Sequence, residues 1–75
     1  RAEAVEGLAR KMGVTVKSIQ WALGTYDLIC QFEAPDDETV TALGLAVGMQ
    51  GNVRTQTLRT FSRAEMGAIL ARLPA

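Results

Sequence analysis

The sequence of 75 residues predicts an α+β fold in which an antiparallel sheet carries its helices on one face. Three observations lead there. Apolar residues recur at helical spacing in three separate stretches. Between Val14 and Ala34, β-branched and alternating residues flank a glycine that can turn the chain. The helical and extended stretches also interleave along the chain, so the two kinds of element pack as one domain spanning residues 1–75.

The first helix runs from Arg1 to Met12. Ala2, Val5, Leu8, Ala9 and Met12 form its inner stripe, while Glu3, Glu6 and Arg10 face away. Gly13, after the basic Lys11, suits a glycine cap. Val14 to Leu23 follows as a strand. Ile19, Trp21 and Leu23 alternate in one phase and Val14 and Val16 in the other, so a bulge near Lys17 is expected to reconcile them. Gly24-Thr25 fits a two-residue type II′ turn. Tyr26 to Ala34 is the second strand, with Tyr26, Leu28, Cys30 and Phe32 on one side and Asp27, Ile29, Gln31 and Glu33 on the other.

Pro35-Asp36-Asp37-Glu38 ends that strand and starts a helix, because an aspartate caps free N–H groups and the acids suit the positive end of the helix dipole. The same carboxylates resemble a metal cluster in composition, but their place at a helix start favours capping over ligation. Val40, Leu43, Ala46 and Val47 face inward; Gly51 ends the helix. Gly44 and Gly48 lie on a common side, where they either admit another backbone or simply weaken the helix. Asn52 to Phe61 reads as a third strand. Ser62-Arg63-Ala64-Glu65 is a capping box opening a last helix through Met66, Ile69, Leu70 and Leu73.

The order helix–strand–strand–helix–strand–helix is a ferredoxin-like split β-α-β pattern with a C-terminal helix and without its first strand. That strand would lie in the middle of the sheet, and its absence leaves open N–H and C=O groups. A strand ahead of Arg1, or one supplied by another chain, is therefore expected.

Composition narrows the function. Eight basic and eight acidic side chains cancel, which argues against nucleic acid as a partner, since phosphate contacts need a basic excess on one face. No apolar run approaches the roughly 20 residues of a membrane span, and no signal peptide is expected. The one cysteine, Cys30, cannot form an internal disulfide and reads as a buried thiol of a reducing cytoplasm. No histidine is present, which removes the usual general base, the commonest zinc ligand and the usual haem ligand. Neither a phosphate loop nor a nucleophile–base pairing appears, so no catalytic residue, metal ligand or cofactor is assigned.

Gly24-Thr25-Tyr26-Asp27 resembles the G-x-Y-D turn of the GYD domain family. The similarity continues through Phe32-Glu33-Ala34-Pro35-Asp36-Asp37 and the segment Gly51 to Arg59, and ends with Phe61 and the helix bearing Glu65 and Ile69. A more distant similarity joins the hairpin and the later glycine-valine-threonine segment to the ligand-sensing domain of leucine-responsive transcription regulators. Both resemblances imply a dimeric α+β barrel, two sheets face to face with helices outside. No helix-turn-helix is present, so DNA reading is not implied.

Six residues stand out as candidate ligand-binding positions, each beside a plainer role. Gly24 serves turn geometry or lets a ligand approach the hairpin mouth. Tyr26 is an anchored tyrosine or a polar handle on a ligand. Asp27 pins the hairpin or points into an inter-sheet space. Trp21 packs an interface or offers a stacking platform. Arg54 and Arg59, in opposite phases, are solvated or paired with Asp27 or Glu33, or bind an anion with their planar forks. The expected function is a self-associating module, a homodimer or larger homo-oligomer that oligomerises or holds a small molecule. The alternative is a cofactor-independent barrel enzyme of monooxygenase, isomerase or decarboxylase type, with Asp27 as base and Tyr26 or an arginine holding an oxyanion.

Overall fold

The computed structural model describes residues 2–51 and 53–75. The elements are α1 (Ala2–Lys11), β1 (Thr15–Trp21), β2 (Leu28–Glu33), α2 (Asp37–Gly48) and α3 (Arg63–Leu70), an α+β arrangement. β1 and β2 form a two-stranded antiparallel sheet. Its architecture is that of a ferredoxin-like split β-α-β fold without a first strand. No described helix is long and apolar enough to cross a membrane.

The end of α1 shows how tightly local sequence sets the chain path. Gly13 N–H donates to Arg10 O at 3.3 Å and Val14 N–H to Ala9 O at 2.9 Å. These two bonds, with Gly13 at φ +77°, make a Schellman cap. Its hydrophobic clasp is Val14 against Ala9, both buried in the core. Gly13→Ala is expected to destabilise the domain by about 1 kcal/mol, because an L side chain resists that φ. Urea unfolding followed by circular dichroism measures this, and an unchanged midpoint would show that the cap relaxes at no cost.

The bulge expected near Lys17 is present. Thr15↔Glu33 and Val16↔Phe32 pair in one register, while Ser18↔Gln31, Ile19↔Cys30 and Trp21↔Leu28 pair in another, with the shift between Val16 and Ser18. The extra residue brings Val16, Ile19 and Trp21 to the face shared by Phe32, Cys30 and Leu28. Lys17 stands off that face and reaches Glu33, with Nζ 3.9 Å from Oε1.

The caps also follow expectation. Asp36 starts α2 by accepting from Thr39 N–H at 2.7 Å and from its hydroxyl at 2.5 Å. These bonds hold its carboxyl below the usual range. Ser62 and Glu65 make the reciprocal capping box of α3, at 3.1 and 2.7 Å, and the Ser62 N–H, with its hydroxyl second, holds the Glu65 carboxyl below the usual range. In α2, Leu43 and Val47 are buried and Val40 and Ala46 half-buried, as the inner stripe required. A Cβ on Gly44 would meet Thr55 Oγ1 and Thr57 Oγ1 at an ordinary 3.8 Å, and one on Gly48 would meet nothing within 4 Å. No described backbone approaches these two glycines closely.

Two expectations are corrected. The hairpin does not close on a two-residue turn at Gly24-Thr25. Ala22 N–H bonds Asp27 O at 2.9 Å, leaving Leu23 to Tyr26 as a four-residue loop with Gly24 at φ +151°, far from the φ of a type II′ turn. β2 consequently begins at Leu28 rather than Tyr26. The second correction concerns the predicted third strand, Asn52 to Phe61. Asn52 lies outside the described residues, and Val53 to Phe61 joins no ladder. The reason is topological: in the split β-α-β order the last strand bonds only the first, and no described strand takes that place.

The buried core among the described residues is four side chains, Ala9, Val14, Leu43 and Val47, with Val5, Leu8, Met12, Val16, Phe32 and Val53 packed around it. It lies where α1 crosses α2 and meets β1. α3 packs on none of the other elements and buries no residue. The accessible surface, 6457 Å², exceeds the roughly 4,500 Å² expected of a compact monomer of this mass. The radius of gyration, 14.5 Å, likewise exceeds the roughly 11 Å of a compact 75-residue domain.

Candidate functional site

The hairpin mouth and its surroundings place the candidate residues. Trp21 closes β1 opposite Leu28. Asp27 follows the loop and is fixed by its backbone bond from Ala22. Together with Leu28 and with Ala2 from the start of α1, they line an open depression of about 230 Å³. The structure thus brings two of the six candidates, Trp21 and Asp27, to one concavity. Both are exposed, Trp21 at 74%. Ala2 belongs to this lining without having been a candidate, since an alanine in an amphipathic helix gives no signal of such a position.

Tyr26 points elsewhere. Its hydroxyl donates to Gln56 Oε1, tying the loop to the extended segment after α2. This bond joins residues thirty positions apart, and no local pattern marks Gln56 as the partner. Gly24 lies in the loop without lining the depression.

Arg54 and Arg59 lie in the segment from Val53 to Phe61. Neither pairs with Asp27 or Glu33; Glu33 is held by Lys17 instead. Arg59 donates from Nη1 to Thr60 O and lies over the Phe61 ring, 4.3 Å from its centroid, a cation–π contact within its own segment. Arg54 is exposed. The expectation of opposite faces of a strand lapses for both, because Val53 to Phe61 has no ladder to define faces.

Cys30 is half-buried on the helix-facing side of β2. Burial, and secondarily the Glu6 carboxylate, push its thiol above the ordinary range. A thiol held protonated is a poor nucleophile, which fits a packing role. No cluster of three or more metal-ligating side chains occurs among the described residues; Asp36 is engaged in its cap.

No curated protein and no solved structure matches the chain. The GYD domain model matches residues 1–70, and with nearly the whole chain so covered, from the first helix through the G-x-Y-D hairpin to α3, the chain belongs to the GYD domain family.

Proposed function

We propose that this GYD domain is a self-associating module in which the open sheet face of one copy covers that of another. The observation that carries the reading is the imbalance of apolar surface. Against four buried side chains, eleven large apolar residues are exposed among those described, more than a small soluble monomer ordinarily leaves uncovered. Ile29, 53% exposed, sits at the centre of the face away from the helices, opposite Gln20 and beside Gln31. Apposing two such faces would remove Ile29 from water while the glutamines pair across the interface. The enclosed space, lined by Ile29, Gln20 and Gln31, would be semi-polar and suited to a small molecule. The enzymatic alternative has less support: the Tyr26 hydroxyl is engaged by Gln56 and Asp27 has no ion-pair partner among the described residues.

Sedimentation equilibrium tests this. The chain is expected to run as a dimer or larger at micromolar concentration. Ile29→Lys is expected to weaken association at least about tenfold, equivalent to about 1.4 kcal/mol. The exposed position makes the folding cost small. A folded monomer at micromolar concentration, or association indifferent to Ile29→Lys, overturns the reading.

A further inference from the structure

α2 carries apolar residues on two opposite sides. Leu43 and Val47 are buried in the core, with Val40 half-buried beside them. At about 3.6 residues per turn, Leu45 and Met49 fall on the far side of the helix from that stripe. They are 67% and 85% exposed. Ala42 and Gly48, small and exposed, flank Leu45, and a Cβ on Gly48 would meet nothing within 4 Å, so this face has room for a second helix. A helix apolar on both sides is ordinarily buried on both. Among the described elements, however, α2 meets only α1.

α3 has the matching surface. Met66, Ile69, Leu70 and Leu73 recur at helical spacing, and the chain stays helical to Leu73, whose N–H bonds Leu70 O at 3.1 Å. Met66, Leu70 and Leu73 are exposed. The segment before α3 is held back: Val53 packs on the core cluster, Thr55 and Thr57 stand beside Gly44, and Gln56 takes the Tyr26 hydroxyl. α3 itself packs on no other element, and the molecule extends 48 × 29 × 17 Å. The helix is therefore a projecting arm.

The charges of the two faces are complementary. α2 has Asp37 and Glu38 in its first turn and no basic residue in its last. Arg63 opens α3 and Arg72 follows its end. None of these four takes part in an ion pair among the described residues. Antiparallel packing puts Arg72 beside the two acids and Arg63 at the carbonyl end of α2, where a cation suits the helix dipole. Parallel packing would set Glu65 against Asp37 and Glu38. The area also suffices. The accessible surface exceeds that of a compact monomer by about 2,000 Å², while a stable interface takes about 800 Å² from each partner. Covering the sheet face leaves enough for a second interface.

We propose that α3 is an exchanged arm, laid antiparallel on the outer face of α2 in a second copy of this chain, which returns the same contact. Leu70 then meets Leu45, and Met66 meets Met49. Reciprocal exchange closes on a twofold axis, so it makes a dimer rather than a filament. The arm contact lies on the helix side, away from Ile29, and does not rest on the sheet-face pairing. With both in place, the chain assembles beyond a dimer.

Sedimentation velocity at micromolar concentration tests this. Ile29→Lys, which removes the sheet-face contact, is expected to leave a dimer. Adding Leu45→Lys is expected to weaken that dimer at least about tenfold, with unchanged helical circular dichroism because Leu45 is exposed. Arg72→Glu is expected to weaken it several-fold, and Arg72→Glu with Glu38→Arg to restore it. A dimer indifferent to Leu45→Lys overturns the proposal, as does association that the paired charge reversal fails to restore. An Ile29→Lys chain that is monomeric, with α3 closed on its own α2 or free, also overturns it and leaves the sheet-face reading standing. If instead Ile29→Lys changes nothing and Leu45→Lys alone dissociates the chain, the arm contact stands and the sheet-face reading falls.

Discussion

Leu43→Ala is expected to destabilise the domain by about 2–4 kcal/mol, enough to unfold a large share of molecules at room temperature. Leu43 is 2% exposed and sits in the four-residue cluster that joins α1, α2 and the start of the sheet. Truncation removes the transfer free energy of its buried carbons and leaves a void that the neighbours fill only partly. The consequence is large because the reserve is small: a domain of this size rarely holds more than about 3–5 kcal/mol. Urea unfolding followed by helical circular dichroism is the measurement. A loss below about 1 kcal/mol would show that this cluster is not the core.

The second large effect is expected from the opposite change, Ala9→Leu. Ala9 is fully buried at 0% exposure, and its carbonyl accepts the Val14 N–H that closes the Schellman cap. A leucine there has to displace α2 or distort the cap, since packed interiors hold few voids. The expected cost is about 1–3 kcal/mol, with α1 and α2 splayed apart. Thermal unfolding measures it, and a variant as stable as the parent would show that the junction of α1 with α2 is loosely packed. Leu43→Ala and Ala9→Leu share the cluster, so their effects are not expected to add.

Much of the fold was legible from residues near one another in the chain. The Ser62–Glu65 capping box, the Asp36 cap and the glycine cap at Gly13 each close within a few residues, and each appears with the bonding its sequence implies. The bulge near Lys17 was readable because a one-residue change of phase exposes itself in the alternation from Val14 to Trp21. The candidate site was less legible. Trp21 and Asp27 do share a concavity, but Tyr26 is drawn away by Gln56, and Arg59 is taken up by Thr60 and Phe61. Adjacency in a motif does not say where each side chain finds its partner.

By itself the sequence determined the three helices, the caps at Gly13, Asp36 and Ser62, the hairpin and its bulge, because short-range bonds and alternation settle these without distant help; the end of α2, read at Gly51, falls at Gly48 with Met49 as its cap. Only the tertiary structure decided the four-residue hairpin loop, the small core at the junction of α1 with α2, and the state of Val53 to Phe61. That segment has the threonine-rich composition of a strand, but a strand exists only where a neighbour offers N–H and C=O groups in register. Strand identity is a property of the pair, and no described residue supplies the second member.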